Sequence, residues 1–302
     1  MIRRAIVPTL LILLSGCAKR PPRDTSTETS GAATIPVSEE LGRFVADEAD
    51  EFDMLYPNAR ISLVPTTARE AIVDLLDEKV RTICIDRSFN DEEWGVTKKA
   101  GLTVVENRFA EDALAVIVHP SNRMDEIPFD VLKRIVASDI ASWRGIPGSA
   151  MDAPVELVLT GKNSGMYELL QRQFFHIAGD LTPGRIVGTQ REIITYVAAH
   201  PAAIGFVSVV PLRESHPPVR VVRVESTDIS DSRRFVGPNQ MDIYHSLYPL
   251  HYSLYLYSVG DRAGVGSGFG TFTMSNTGQK IVQDYGLVPV KIPSRVIQIN
   301  PE

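Results

Sequence analysis

The strongest constraint on this chain is the order in which its apolar pattern changes period. Residues 34–37 form a short extended run, after which Leu41, Phe44, Val45, Glu48, Phe52 and Leu55 follow a helical period that stops at Tyr56-Pro57. The pattern predicts a strand over 61–64, a helix over 69–76 and a strand over 80–85. A β-α-β-α-β order argues for a mainly parallel α/β sheet. Further strands are predicted over 102–105 and 113–119, around a polar link at 106–112. Helices over 129–137 and 192–199 and strands over 184–187, 203–209 and 219–224 continue the alternation. The stretches 108–113 and 246–252 read as crossings between two lobes. The helix expected over 276–285, with Gly286 at its C′ position, returns the chain to the first lobe. At 302 residues the chain has ample material for two such lobes. The predicted architecture is therefore two hinge-linked lobes, each a mixed, mainly parallel sheet flanked by helices.

Residues 154–176 are the most informative single stretch. Val155, Leu157, Val158 and Leu159 make a buried-strand run, and Thr160-Gly161-Lys162-Asn163-Ser164-Gly165 a polar turn. Tyr167, Leu170 and Phe174 then form a helical apolar stripe. Asn163 or Ser164 suits the N-cap, and Glu168 suits the first turn. Such a junction offers unpaired backbone N–H groups and a helix dipole to an anion, though it also serves as an ordinary capped helix. The glycines flanking Ser164 do not fit G-x-S-x-G, and Lys162 precedes the second glycine, so the turn is neither a nucleophile elbow nor a P-loop.

The remaining features bound the function class. The net charge of −6 shows no basic excess for nucleic acid. The six histidines lack zinc-like spacing, so no metal or cofactor is expected. Arg3 and Arg4 precede an apolar run over 5–14 that is too short to span a bilayer. Leu14-Ser15-Gly16-Cys17 closes that run and resembles a bacterial lipobox, which implies cleavage before Cys17 and its lipidation. Residues 1–17 thus read as a lipoprotein signal peptide and 18–33 as a Pro/Ser/Thr-rich tether. Cys84, the other cysteine, lies in an apolar run and reads as a small buried hydrophobe.

Several segments match one family in order: EADEFDMLYPNARI, TICIDRSFNDEE, DALAVIVHPSN, NSGM, AAIGFV, YPLHYSLYLY and TGQKIVQDYGLVP. Over 34–289 the chain resembles the PstS-like phosphate-binding proteins of ABC importers, within the periplasmic-binding-protein superfamily. The resemblance implies a type II two-lobe fold, with lobe I over 34–110 and 250–302 and lobe II over 111–249. It implies an anion held by hydroxyls, backbone amides, one Arg and one carboxylate. By position the contacts fall on Ser38 and Glu39, Thr66 or Thr67, Asp86, Ser164, Gly165 and Met166. The chain departs from the family pattern at Met166, which replaces a Thr, and at Thr160, which replaces an Arg. Arg69, Lys162 or Arg87 is left to supply the cation, and the acids Glu39 and Glu40 occupy a loop where the family has Gly.

The resulting expectation is a non-enzymatic, membrane-anchored extracytoplasmic lipoprotein. It would capture inorganic phosphate as a monomer and deliver it to an ABC permease, the anion stabilising the closed state. The alternative is a non-transport sensor or interaction module with a degenerate or altered-specificity cleft.

Overall fold

The computed structural model describes residues 26–149, 151–215, 218–228, 234–260 and 264–292. Cys17, the signal peptide and most of the expected tether lie outside the described residues. The strands are β1 (Gly31–Ser38), β2 (Ala59–Thr66), β3 (Thr82–Ile85), β4 (Val104–Val118), β5 (Glu126–Ile127), β6 (Glu156–Thr160), β7 (Arg185–Val187), β8 (Ala203–Ser208), β9 (Arg220–Glu225), β10 (Phe235–Val236), β11 (His251–Val259) and β12 (Val288–Pro289).

β1 lies between β2 and β3 and is parallel to both, with the helices Gly42–Leu55 and Ala68–Leu76 as the connections. A parallel pair cannot be closed by a tight turn, so the sequence alternation leads directly to this sheet. β11 runs antiparallel between β3 and β4. β4 joins the two halves of the molecule. Its residues Val104 to Ala113 pair with β11, and Leu114 to Val118 pair with β8. β8 is parallel to β6, and β6 to β7. β9 flanks the far end of β4 and carries the short strands β5 and β10. The chain is therefore α/β, with mixed sheets flanked by helices around a shared crossing strand.

Three local expectations are corrected. The polar link at 106–112 is not a loop but the middle of β4, where Glu106 and Arg108 are exposed while Phe109, Ala110 and Asp112 are buried. Alternation with charged outward residues reads as a loop unless the partner strand is known. β1 begins at Gly31, three residues inside the segment read as tether, and pairs there with Ala59 of β2. Four helices among the described residues were not anticipated: Asp91–Ala100, whose only fully buried residue is Thr97, Val209–Ser215, Gln240–Tyr244 and Val265–Thr273. The last carries Gly266, Gly268 and Gly270, and a Cβ at Gly268 would lie 1.9 Å from the Glu28 carbonyl oxygen. Close backbone approach, not helix propensity, selects glycine there.

Aromatic and aliphatic side chains fill the spaces between sheet and helices. Phe44 stacks on Phe109 at 5.9 Å, and Trp143 is fully buried with its indole N–H donating to the Ala202 carbonyl at 2.8 Å. Each large side chain so buried stabilises the fold by about 1.5–3 kcal/mol. Cys84 is buried in this core and burial pushes its thiol pKa up, as suits a packing residue. Gly286 has φ of 80° after the helix Asn276–Asp284, the left-handed stop expected from the sequence. Among the described residues no helix is long and apolar enough to cross a membrane.

Candidate functional site

The carboxyl ends of β1, β3 and β6 converge, and in an open α/β sheet this is where ligands bind. β1 ends at Ser38, β3 is followed by Asp86, and β6 leads through the turn to Ser164 and Gly165. Ser38 Oγ donates to Asp86 Oδ1 at 2.8 Å, and both residues are buried. From the opposite side, Gly165 presses against the same carboxylate. A Cβ at residue 165 would lie 2.1 Å from Asp86 Oδ1, so only glycine lets the two loops meet. Ser38, Asp86 and Gly165, expected from different segments, are thus brought together.

Ser164 is the N-cap of the following helix: its Oγ accepts from the Tyr167 amide at 3.2 Å. The same oxygen lies 2.9 Å from the Gly161 carbonyl, to which it donates, and 2.6 Å from Thr160 Oγ1. The helix Gly165–Glu168 runs on into a π-helical turn, Leu169–Phe174. The amides of Gly165 and Met166 belong to the first helical turn, where N–H groups precede the helical ladder. The Met166 side chain is fully buried in the core, so only its backbone is available.

Thr66 and Thr67 serve the start of the helix Ala68–Leu76. Thr67 and Glu70 form a capping box, and the Thr66 hydroxyl also donates to Glu70, at 3.0 Å. Both hydroxyls are engaged by a carboxylate, and these hydrogen bonds hold the Glu70 pKa below the ordinary value. Glu39 is exposed. Its neighbour Glu40, not singled out from the sequence as a contact, is half-buried and lines a cavity with Thr189, Gln190 and Arg191.

Of the cations considered for the place of Thr160, Arg87 is committed elsewhere. It forms a fork with Glu93 at 2.7 and 2.8 Å, and its Nε pairs with Glu168 at 2.9 Å. Lys162 pairs with Asp180 at the surface, 2.5 Å away, and Arg69 is exposed. Glu168 also accepts from Asn90 Nδ2 at 2.9 Å, and the Arg69 amide donates to the Asn163 carbonyl at 3.2 Å. These contacts tie the β1–β3 side to the β6 side. Glu168 was legible only as a first-turn acid, and nothing local announced that it reaches Arg87.

Burial raises the Asp86 pKa, against the lowering effects of Ser38, its own amide and Arg87. Glu40 is pushed up to about 8, first by burial and then by Asp86. The site therefore offers a hydroxyl, backbone amides and acid groups able to hold or accept a proton. Such a set can meet a protonated oxyanion without chemistry on it. Among the described residues no group of acids, histidines and cysteines is arranged to hold a metal ion.

A family model described as the PBP superfamily domain matches residues 22–277. A phosphate-binding protein PstS from Pseudomonas aeruginosa is 23% identical over 297 residues, covering 92% of this chain and 88% of that protein. The Bacillus subtilis phosphate-binding protein PstS is 24% identical, over 87% of this chain and 82% of its own length. A phosphate-bound substrate-binding protein from Clostridium perfringens superposes with a TM-score of 0.73 at 23% identity, covering 86% of this chain and all (100%) of that one.

Proposed function

This chain belongs to the PBP superfamily, and from that premise we propose that it is a lipid-anchored extracytoplasmic solute-binding protein that captures inorganic phosphate for an ABC permease. The observation that carries the reading is the meeting of Ser38, Asp86 and Gly165 between two sheet ends. A carboxylate at that place accepts the proton of hydrogen phosphate and repels sulfate, which has none to share. Lobe I comprises 34–110 and 250–302 and lobe II 111–249, and the change of β4 partner after Ala113 supports a hinge close by. Cys17 carries the anchor, the body acts as a monomer, and closure rather than reaction is its mechanism.

The commitment of Arg87 to Glu93 and Glu168, and of Lys162 to Asp180, favours a second reading. In that reading the cleft has altered specificity or is degenerate, and the protein senses or docks instead of transporting. Thermal denaturation of the tether-free body with phosphate, arsenate, sulfate and molybdate separates the two. Phosphate at about a hundred times its dissociation constant stabilises the fold by roughly 2.7 kcal/mol, a shift of roughly 5–10 °C. No shift with any of the four anions at millimolar concentration rejects the phosphate reading.

A further inference from the structure

Three residues beside the candidate contacts meet across the gap between the two sheet ends: Arg87 and Asn90, which follow β3, and Glu168, in the first turn after Ser164. Glu168 commits both carboxylate oxygens there. Its Oε2 pairs with Arg87 Nε at 2.9 Å, and its Oε1 accepts from Asn90 Nδ2, also at 2.9 Å. Arg172, one turn further along, stands 3.9 Å from the same Oε1. Neither of the two partners from the β3 side is loose. Arg87 is buried, and its terminal nitrogens are held by Glu93 at 2.8 and 2.7 Å and by the Ser88 carbonyl at 2.8 Å. Asn90 is the N-cap of the helix Asp91–Ala100, its Oδ1 accepting from the Glu93 amide at 3.0 Å. The cap fixes which end of the amide is oxygen, so the end toward Glu168 is a donor. A backbone bond from the Arg69 amide to the Asn163 carbonyl, at 3.2 Å, closes the same seam.

An exposed ion pair between two flexible chains contributes little, because each must be ordered to make it. Here a guanidinium and an amide are already held by their own side, and both aim at one carboxylate from the other. Such charge-assisted bonds are the strong ones. The members of this clasp adjoin the candidate contacts without belonging to them. Arg87 directly follows Asp86, and Glu168 stands about one helical turn from Gly165. Holding Arg87 to Glu168 therefore holds Asp86 to Gly165, where a Cβ on the glycine would lie 2.1 Å from the carboxylate. We infer that Glu168 is a positioning residue for capture: clasped by Arg87 and Asn90, it joins the β1–β3 side to the β6 side and sets how firmly the cleft grips an anion that Glu168 itself does not contact. The commitment of Arg87 is then the means by which the cleft closes, not only the loss of a cation from it. The effect on affinity rests on the phosphate reading above; the clasp does not.

Asn90→Asp tests this most sharply. Aspartate caps a helix as well as asparagine does, so the helix stands, while a carboxylate oxygen replaces the donor that faces Glu168. Small-angle X-ray scattering on the purified protein, before any anion is added, should show Asn90→Asp more expanded than the wild type. Calorimetric titration with inorganic phosphate should show an affinity about tenfold weaker, because a smaller fraction of molecules has the two sides closed. The ratio of phosphate to sulfate affinity should not move. Adding Glu168→Gln to Asn90→Asp restores the match: the new amide accepts from Arg87 with its oxygen and donates to the new carboxylate with its nitrogen. Compactness and affinity should both return toward the wild type, which a defect confined to the helix cap would not do. An unexpanded Asn90→Asp protein, or a double variant no tighter than the single one, overturns the clasp. A changed phosphate-to-sulfate ratio overturns the positioning role by placing Glu168 among the contacts. Should Asn90→Asp fail to fold, Glu168→Ala carries the same scattering and titration, with expansion and weaker binding expected and wild-type values overturning the clasp. If the wild type binds no phosphate, the phosphate reading falls and the scattering comparison alone decides the clasp.

Discussion

Asp86 and Asp112 are two aspartates of equal burial with opposite equipment. Asp112, on the crossing strand, accepts from the Ala113 amide at 2.6 Å, Ser208 Oγ at 2.5 Å, Tyr252 Oη at 2.9 Å and the Val209 amide at 3.3 Å. Asp86 receives one side-chain donor, Ser38, besides its own amide. Four donors drawn from β4, β8, β11 and the helix Val209–Ser215 make Asp112 a structural junction where the chain passes between sheets. A carboxylate with one donor, set between two sheet ends and against Gly165, is instead equipped to receive a ligand. Burial alone does not separate a site residue from a structural one, but the count of donors supplied by the protein does.

The comparison breaks most readily at Asp112. Asp112→Ala strands the hydroxyls of Ser208 and Tyr252 and the Val209 amide, and should cost about 3–5 kcal/mol. That corresponds to a melting temperature lower by roughly 6–15 °C, whereas Asp86→Ala should leave the melting temperature nearly unchanged or raise it. Calorimetric melting of both variants without ligand measures the contrast, and a larger loss at Asp86 would reverse the assignment.

The next effect is on pH dependence. Burial raises the Asp112 carboxyl from 3.8 to about 6 in spite of its donors. Between those values the folded chain holds a proton that the unfolded chain has lost. Stability from this group is therefore complete below about pH 4 and is lost as pH rises through about 6, by up to about 3 kcal/mol. Denaturant midpoints from about pH 4 to about pH 7, compared with those of Asp112→Asn, isolate that portion. A parallel pair of curves would remove the titration of Asp112 from the account.

The smallest effect sharpens the functional side. Asp86→Asn replaces an acceptor charge with an amide that can donate, so sulfate should gain on phosphate by about 2 kcal/mol, or roughly thirtyfold in the affinity ratio. Titrating both anions into both proteins gives the ratio, and an unchanged value would place Asp86 with Arg87 as an internal pair.

Much of this was present in local pattern. The change from period 2 to period 3.6 along the first 85 residues dictates crossover connections, and hence the parallel trio β2, β1 and β3. Ser164 as a cap and Gly286 as a helix stop follow from backbone geometry that only a few residue types satisfy. Even Ser38, Asp86 and Gly165 were legible as the ends of strands and the start of a helix. The direction of side chains across the cleft was not. Glu39 and Glu40 are adjacent acids with the same local propensity, yet Glu39 is exposed while Glu40 is half-buried in a cavity it shares with Gln190, far away along the chain. Arg87 looked available for an anion until Glu93, six residues on, and Glu168, from the opposite loop, claimed its guanidinium. Sequence determines where strands stop and helices start because those depend on neighbours within one turn. Which charge meets which is decided by distances through space, and only the tertiary structure sets those.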